Sequence, residues 1–250
     1  MPLEFYGPRL KLDRAKHHID ELETIFRRYV IDNMRRSRPK KKRDGREVPS
    51  RRLGSKLPEH VPTILGDAIH NLRVALDHGY TILVEANGGT PTDYTRFMFG
   101  KDRKSLKGSM EGAIADRIPD ELITRLLDEI EPYEGGKLSL WELHRLDITD
   151  KHSVLLPAKR ALHIDQLDIT DQDGRPTGGR IKGISLVMDN PQASGAFVAV
   201  GGNMGLKLKG DPHSAFDILF GPGPLEDKSI LSTLRSLHTN VSTALDVLQR

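Results

Sequence analysis

The stretch PTILGDAIHNLRVALDHGYTILVEA, residues 62–86, decides the fold class of this 250-residue chain. Its apolar residues recur every three or four positions, which at about 100° per residue places them on one side of an α-helix. Gly88 and Gly89 follow shortly after and favour the left-handed backbone that ends helices. An amphipathic helix of this length needs neighbouring elements that cover its apolar side.

The same spacing predicts helices over most of the first 160 residues. We expect a first long helix over residues 9–33, shorter helices over 106–115 and 120–130, and another from 139 to about 151. The last 25 residues are again amphipathic, and we expect this terminal helix to pack on the two long N-terminal helices.

From about residue 161 the apolar period changes to two, which is typical of β-strands. Glycine, proline and asparagine separate the predicted strands, which cover residues 161–169, 184–188, 196–200, 206–209 and 216–220. The chain is therefore predicted to be an α+β protein, mainly a helical bundle with a small antiparallel β-sheet inserted before the C-terminal helix.

This fold class implies a division of the chain. Residues 1–160 are predicted to form the bundle, with a basic loop at 35–58, and residues 161–222 the β-rich insertion. Residues 223–250 are predicted to form the C-terminal helix that packs on the bundle.

Composition excludes several chemistries. The absence of cysteine excludes disulfides, iron–sulfur clusters, thiolate zinc sites and a cysteine nucleophile. We expect a cytoplasmic protein without a membrane span, because eighteen consecutive apolar residues occur nowhere and the N-terminus lacks a signal-peptide pattern. No sequence motif calls for a cofactor.

Charge is distributed unevenly along the chain. Residues 35–56 contain eleven Lys or Arg against two acids, a local charge of +9. The rest of the chain therefore carries −6, which the overall +3 conceals. The basic residues of this arm are Arg35, Arg36, Arg38, Lys40, Lys41, Lys42, Arg43, Arg46, Arg51, Arg52 and Lys56.

Two interpretations of the basic arm stay open. Clustered Lys and Arg neutralise backbone phosphates and bind nucleic acid without sequence preference, so RNA or another nucleic acid is one predicted partner. The arm contains no aromatic residue for base stacking. It could equally be a solvated linker, or a loop that contacts the acidic body of its own or a neighbouring chain.

Two helical segments concentrate histidine, aspartate and arginine: HNLRVALDH at 70–78 and DKH at 150–152. Helical geometry brings His70, Arg73 and Asp77 to one polar face, whereas His78 lies about 140° from Arg73. The two segments resemble those of a group of uncharacterised bacterial proteins with HNLR-ALDH and DKH motifs.

Arg73, followed after four residues by His78, also resembles the Arg-(four to six)-His signature of the HEPN superfamily, whose helical bundles include dimeric, metal-independent RNases of toxin and defence systems. The resemblance implies that Arg73 polarises a phosphate and that His78 is the acid/base group, with Asn71 and Asp77 in support, in a homodimer.

Two other interpretations use the same residues. In one, the polar network only holds the bundle together and the protein is a non-enzymatic interaction or structural protein. In the other, six acidic and histidine side chains coordinate a divalent ion, although the helix pairs typical of such sites are missing. Those six are Asp67, His70, Asp77, His144, Asp147 and His152.

Overall fold

A computed structural model describes residues 4–35, 40–41, 47–48, 57–113, 116–152, 158–170, 175–188, 205–208 and 216–250. Its helices are α1 (Tyr6–Arg35), α2 (Val61–Ala86), α3 (Arg103–Gly112), α4 (Asp120–Arg125), α5 (Leu140–His152) and α6 (Ile230–Gln249). A π-helical turn, Leu126–Ile130, continues α4. Its strands are β1 (Lys40–Lys41), β2 (Glu47–Val48), β3 (Ala158–Thr170), β4 (Pro176–Met188), β5 (Gly205–Leu208) and β6 (Phe216–Phe220).

The helical core is built on α1, α2 and α6. The apolar stripe of α2 is buried, and its residues pack in one cluster with the apolar residues of α1 and α6. Arg9 near the start of α1 pairs with Asp246 near the end of α6, and Glu23 farther along α1 pairs with Arg235. These two pairs show that α6 runs antiparallel to α1, and the predicted packing of α6 on both long helices is confirmed.

The sheet is centred on β3, and all pairings among the described strands are antiparallel. One edge of β3 pairs with β4, and the other edge pairs with β6 and β5 at its two ends. β6 leads directly into α6, so the predicted α+β class, with a sheet inserted before the C-terminal helix, is confirmed. The strand predicted at 196–200 lies outside the described residues.

Helix boundaries follow the apolar spacing closely. The predicted helix 62–86 is observed as α2, and the predicted helix 9–33 is extended at both ends in α1. The segment 120–130 is helical throughout, but its second half widens to a π-helical turn that ends at Glu131 with a left-handed φ of 52°. Within the described part of the chain, no helix is long and apolar enough to cross a membrane.

Candidate functional site

A pocket of about 670 Å³ opens between α2, α5 and the segment that follows α2. This volume lies within the range of about 300–1,000 Å³ that is usual for small-ligand sites. Its walls combine aromatic, cationic and acidic side chains: Arg73, Asp77, Asp93, Thr95, Arg96, Phe97, Met98, Phe99, Ser109, His144, Asp147, Ile148 and Lys151.

The pocket exists because α2 and α5 run antiparallel and close together. Asp150 of α5 packs on the backbone of α2 at Gly66, where an added Cβ would lie 2.4 Å from the Asp150 Oδ2. One turn farther along α2, Nδ1 of His70 lies 3.0 Å from Oδ1 of Asp147. Farther along the same two helices, the charge of Arg73 in α2 acts on His144 in α5.

Arg73 is held from three sides and is only 4% exposed. Its guanidinium donates to Oδ1 of Asp77 and, at 3.1 Å, to the backbone carbonyl of Phe97. The Phe97 N–H donates back to Oδ1 of Asp77 at 2.9 Å. The guanidinium carbon also lies 4.5 Å from the centroid of the Phe99 ring, which is a cation–π contact. These contacts fix the arginine without any ligand.

Burial perturbs both members of this ion pair. It lowers the pKa of Arg73 and raises the pKa of Asp77, while the attraction between the two charges opposes both shifts. Because each partner neutralises the other, truncating either one leaves a buried charge without compensation. Perturbed ionisable groups in a pocket are also a common property of functional sites.

His144 lies on the opposite wall and stacks on Phe99. Their ring centroids are 4.4 Å apart and the rings are nearly parallel, at 2°. Burial, followed by the charge of Arg73, lowers the pKa of His144 to about 4, so the imidazole is neutral at pH 7. Its Nδ1 is buried without a hydrogen-bond partner.

A second polar cluster lies at the α5 end of the pocket. Asp147 accepts a hydrogen bond from Lys151 at 2.7 Å in addition to its contact with His70. Although burial opposes it, this hydrogen bonding holds the pKa of Asp147 below its ordinary value. The pKa of neighbouring Asp150 is raised by burial and by the charges of Asp147 and Asp67. The cluster links α2 to α5 through charge.

Arg96 is exposed in the pocket wall, as is Lys151, but Lys151 is paired with Asp147. Arg96 forms no hydrogen bond or ion pair with any of the residues that the structure describes. Its charge nevertheless reaches both Arg73 and His144, and it lowers the pKa of each. Among the described residues, the pocket wall therefore carries one unpaired positive charge, at Arg96, and one unpaired negative charge, at Asp93.

The structure separates the residues of the predicted catalytic pair. Arg73 and Asp77 line the pocket, but His78 is exposed and lies beside the start of α1, with Nδ1 3.9 Å from the position that a Cβ on Gly7 would take. Asn71 donates to the carbonyl oxygen of Asp67 at 2.8 Å and is not part of the pocket wall. Within one chain, Arg73 and His78 do not share a site.

Most of the basic arm lies outside the described residues. Arg35 ends α1, and Lys40 and Lys41 form β1, which pairs with β2. For these three residues the structure describes the backbone but not the side chain. The other predicted nucleic-acid contacts of the arm lie wholly outside the described residues: Arg36, Arg38, Lys42, Arg43, Arg46, Arg51 and Arg52.

The sequence analysis missed the segment that closes the pocket. This segment contains Arg96, a cation without a partner among the described residues. Its Phe97 carbonyl accepts a hydrogen bond from Arg73, and its Phe99 ring contacts Arg73 and His144. A usable signal was present, because Tyr94, Phe97 and Phe99 are three of only thirteen aromatic residues and fall within six positions. The sequence analysis offers His144 only as a metal ligand, whereas the structure places it in the same pocket as Arg73, with both side chains against Phe99.

Metal coordination receives no support from the geometry. Among the residues that the structure describes, no group of three histidine or acidic side chains is placed to hold a metal ion. Asp147 is instead engaged by His70 and Lys151, and Asp77 by Arg73. Comparisons of the chain with protein-family models, with curated proteins and with solved structures return no match.

Proposed function

We propose that this chain is a HEPN-like protein that interacts with nucleic acid and receives part of a phosphodiester strand at the α2–α5 pocket. The observation that carries the proposal is Arg96, an exposed guanidinium of the pocket wall that forms no hydrogen bond or ion pair with the described residues. The other two cations of the wall, Arg73 and Lys151, pair with Asp77 and Asp147. A phosphate in the pocket would supply Arg96 with a partner.

The charge of the arm supports the same partner. It joins α1 to α2, the helix that carries Arg73, and it contains +9 of charge in 22 residues. Arg73 lies about 18 Å along α2 from Val61, at 1.5 Å per residue. Lys and Arg on such an arm neutralise several phosphates and so supply affinity that depends strongly on salt.

Binding is better supported than cleavage. In a metal-independent RNase of the HEPN type, Arg73 would polarise the scissile phosphate and His78 would be the acid/base group. Since His78 lies on another side of α2, it would have to come from the second chain of a homodimer. His144 is the imidazole that lines the same pocket as Arg73 in one chain, but its pKa of about 4 makes it a weak proton acceptor at pH 7.

A specific observation favours the non-enzymatic alternative as second candidate. The hydrogen bonds of Arg73 go to Asp77 and to Phe97, and its guanidinium face is covered by Phe99. Such a satisfied network positions the segment after α2 whether or not a ligand binds. In that case the protein is an interaction or structural protein, and the polar network only stabilises the bundle.

Binding of labelled RNA and duplex DNA at two salt concentrations tests the proposal. Replacing Lys40, Lys41, Lys42 and Arg43 together with glutamine should weaken binding by at least tenfold at low salt and reduce the salt dependence by about four phosphate contacts. The control is Arg14→Gln, an exposed site on α1 outside the pocket wall. Absence of binding by the wild-type protein at low salt contradicts the proposal.

Cleavage in the presence of EDTA tests the enzymatic version. If Arg73 and His78 act across a dimer, Arg73→Lys and His78→Ala should each abolish cleavage, and a mixture of the two variants should regain part of it. If His144 is the acid/base group, His144→Phe should abolish cleavage and His78→Ala should not. Binding without EDTA-resistant cleavage leaves a binding protein.

A further inference from the structure

The rim of the pocket presents an aromatic side chain that the fold does not use. Tyr94 is 83% exposed and makes no ring contact or side-chain hydrogen bond with the residues that the structure describes. Its neighbours on both sides, Asp93 and Thr95, line the pocket. Tyr94 itself is not a lining residue, so its exposed ring is carried by a segment of the pocket wall and lies outside the pocket.

The backbone under Tyr94 is held in a defined turn. The Thr95 N–H donates to the carbonyl of Thr92 at 2.9 Å, and the Thr92 N–H donates to the Thr95 hydroxyl oxygen at 2.9 Å. The Tyr94 N–H donates to the Thr92 hydroxyl oxygen at 3.2 Å. Three hydrogen bonds within four residues fix the backbone of this turn, so that only the side-chain torsions of Tyr94 remain to be ordered by a partner.

Hydrogen-bond donors for an anion lie in the adjoining pocket wall. Arg96 follows Tyr94 by two residues, so that their Cα atoms are at most about 7 Å apart. The neutral His144 has one N–H, and we assign it to Nε2 because a donor at the buried, unpartnered Nδ1 would cost more than a lone pair there. The Arg96 guanidinium and the His144 imidazole N–H thus belong to the wall of one pocket.

From these three side chains we infer that the pocket binds one unpaired nucleotide of a single-stranded nucleic acid, with its phosphate on Arg96 and His144 and its base stacked on Tyr94. The inference rests on the proposed function and assigns it a subsite. Stacking on an exposed aromatic requires a base that is free of its own stack, which single strands offer and duplexes do not.

The acidic residues of the wall differ in their availability. Asp77 is engaged by Arg73, and Asp147 is engaged by His70 and Lys151. Asp93 is exposed, and its carboxylate can accept a hydrogen bond from a sugar hydroxyl or a base amino group. Among the described residues, the wall therefore offers a nucleotide one free carboxylate, Asp93, together with the unpaired Arg96.

The test is binding of unstructured oligo(U), oligo(dT) and a duplex of the same length, followed by fluorescence anisotropy at one salt concentration. Tyr94→Ala should weaken binding of the single strands by about tenfold and that of the duplex by less than about twofold. Tyr6→Ala is the matched control, since Tyr6 is also exposed, at 74%, and is not in the pocket wall. The ratio of oligo(U) to oligo(dT) affinity shows which strand the subsite prefers.

Variants of the phosphate ligands complete the test. Arg96→Gln should weaken binding of single strands by about tenfold, with Arg14→Gln as its charge-matched control. His144→Phe keeps a ring on Phe99 but removes the N–H, and should weaken binding by about fivefold. Thermal unfolding of each variant must match the wild type within a few degrees for these comparisons to count.

A tryptophan probe reports stacking directly. Tyr94→Trp should retain affinity, and its fluorescence should be quenched when a single strand binds, measured against the background of Trp141 in the wild-type protein. If Tyr94→Ala behaves like Tyr6→Ala and the probe shows no quenching, the subsite is wrong while nucleic-acid binding stands. If the wild-type protein binds none of the three probes, the proposed function is wrong as well.

Discussion

Two sides of α2 carry the two predicted catalytic residues, and their surroundings differ completely. Arg73 is buried against Asp77, Phe97 and Phe99, whereas His78 is exposed beside the start of α1. Five residues of α-helix rotate the side chain by about 140°, which places the two on different sides. A spacing along one helix therefore does not assemble a site. The imidazole that shares the pocket and the Phe99 ring with Arg73 is His144 of α5, 71 positions later in the chain.

The largest expected difference between the two sides concerns stability. Asp77→Ala should lower the free energy of unfolding by about 3 kcal/mol, because it leaves the buried Arg73 without its carboxylate. Denaturant unfolding followed by circular dichroism measures this change. Asp246→Ala removes the partner of Arg9 in an exposed pair and should cost less than about 1 kcal/mol. Equal losses in the two variants would show that the Arg73 pair is not a buried one.

The contact of α2 with α5 predicts a smaller effect. Gly66→Ala places a Cβ 2.4 Å from Asp150 Oδ2 and should cost about 2 kcal/mol by forcing the two helices apart. Asp150→Ala in the same chain should restore most of that loss, because the clashing atoms belong to the carboxylate. Gly108→Ala in α3 meets nothing within 4 Å and should be neutral or stabilising by up to about 1 kcal/mol. Chemical denaturation of the wild type, the two single glycine variants and the double variant measures these changes in the free energy of unfolding.

The pocket side of α2 should also show a pH dependence. The pKa of His144 in the folded chain is about 4, below its ordinary value of 6.5, so the unfolded chain binds a proton more readily. The histidine therefore destabilises the fold progressively as the pH falls from about 6.5 to 4 and contributes no pH dependence above that window. Replacing His144 with phenylalanine should prevent about 1 kcal/mol of this loss of folding stability. The figure is kept small because solvent reaches part of the imidazole ring and weakens the effect.

Unfolding curves at several pH values between 4 and 7 measure this contribution. The difference between wild type and His144→Phe should change over this range, with the variant gaining relative stability at low pH. A constant difference would mean that the imidazole is not protected from protonation in the folded chain. The raised pKa of Asp77 has the opposite effect, because it makes the folded chain bind a proton more readily and so stabilises the fold as the pH falls. This contribution cancels between wild type and His144→Phe if the substitution leaves the pKa of Asp77 unchanged.

The smallest effect is expected on the exposed side of α2. His78→Ala should change the free energy of unfolding by no more than about 0.5 kcal/mol, since the side chain is exposed. Thermal and chemical denaturation measure it. A large loss would indicate that His78 is buried in an assembly of two chains, which is the geometry that the dimeric RNase interpretation needs.

Much of the fold could be predicted from the sequence, and the reason is local. The apolar residues of α2 repeat with the helical period, so its length and its buried side follow from neighbours three and four residues apart. The change to a period of two after residue 160 marked the sheet in the same way. The second half of 120–130 departs from α-helix to a π-helical turn, because the backbone there ends in a left-handed Glu131 that periodicity does not register.

The candidate site was only half predictable. Arg73 and Asp77 stand four apart on α2, and their pairing follows from helix geometry. The segment with Phe97 and Phe99 has neither helical nor strand spacing, so its position depends on the carbonyl and ring that Arg73 binds. No pattern within that segment indicates which helix it will contact.

The sequence by itself determined which elements form, the apolar side of each helix and the separation of +9 in the arm from −6 in the rest of the chain. Only the tertiary structure decided that His144 rather than His78 lines the pocket with Arg73. It also left Arg96 without a hydrogen bond or ion pair among the described residues. The physical reason is that the two kinds of feature depend on interactions over different separations along the chain. Secondary structure depends on contacts within a few residues, whereas a pocket depends on how distant elements bury their apolar surfaces together.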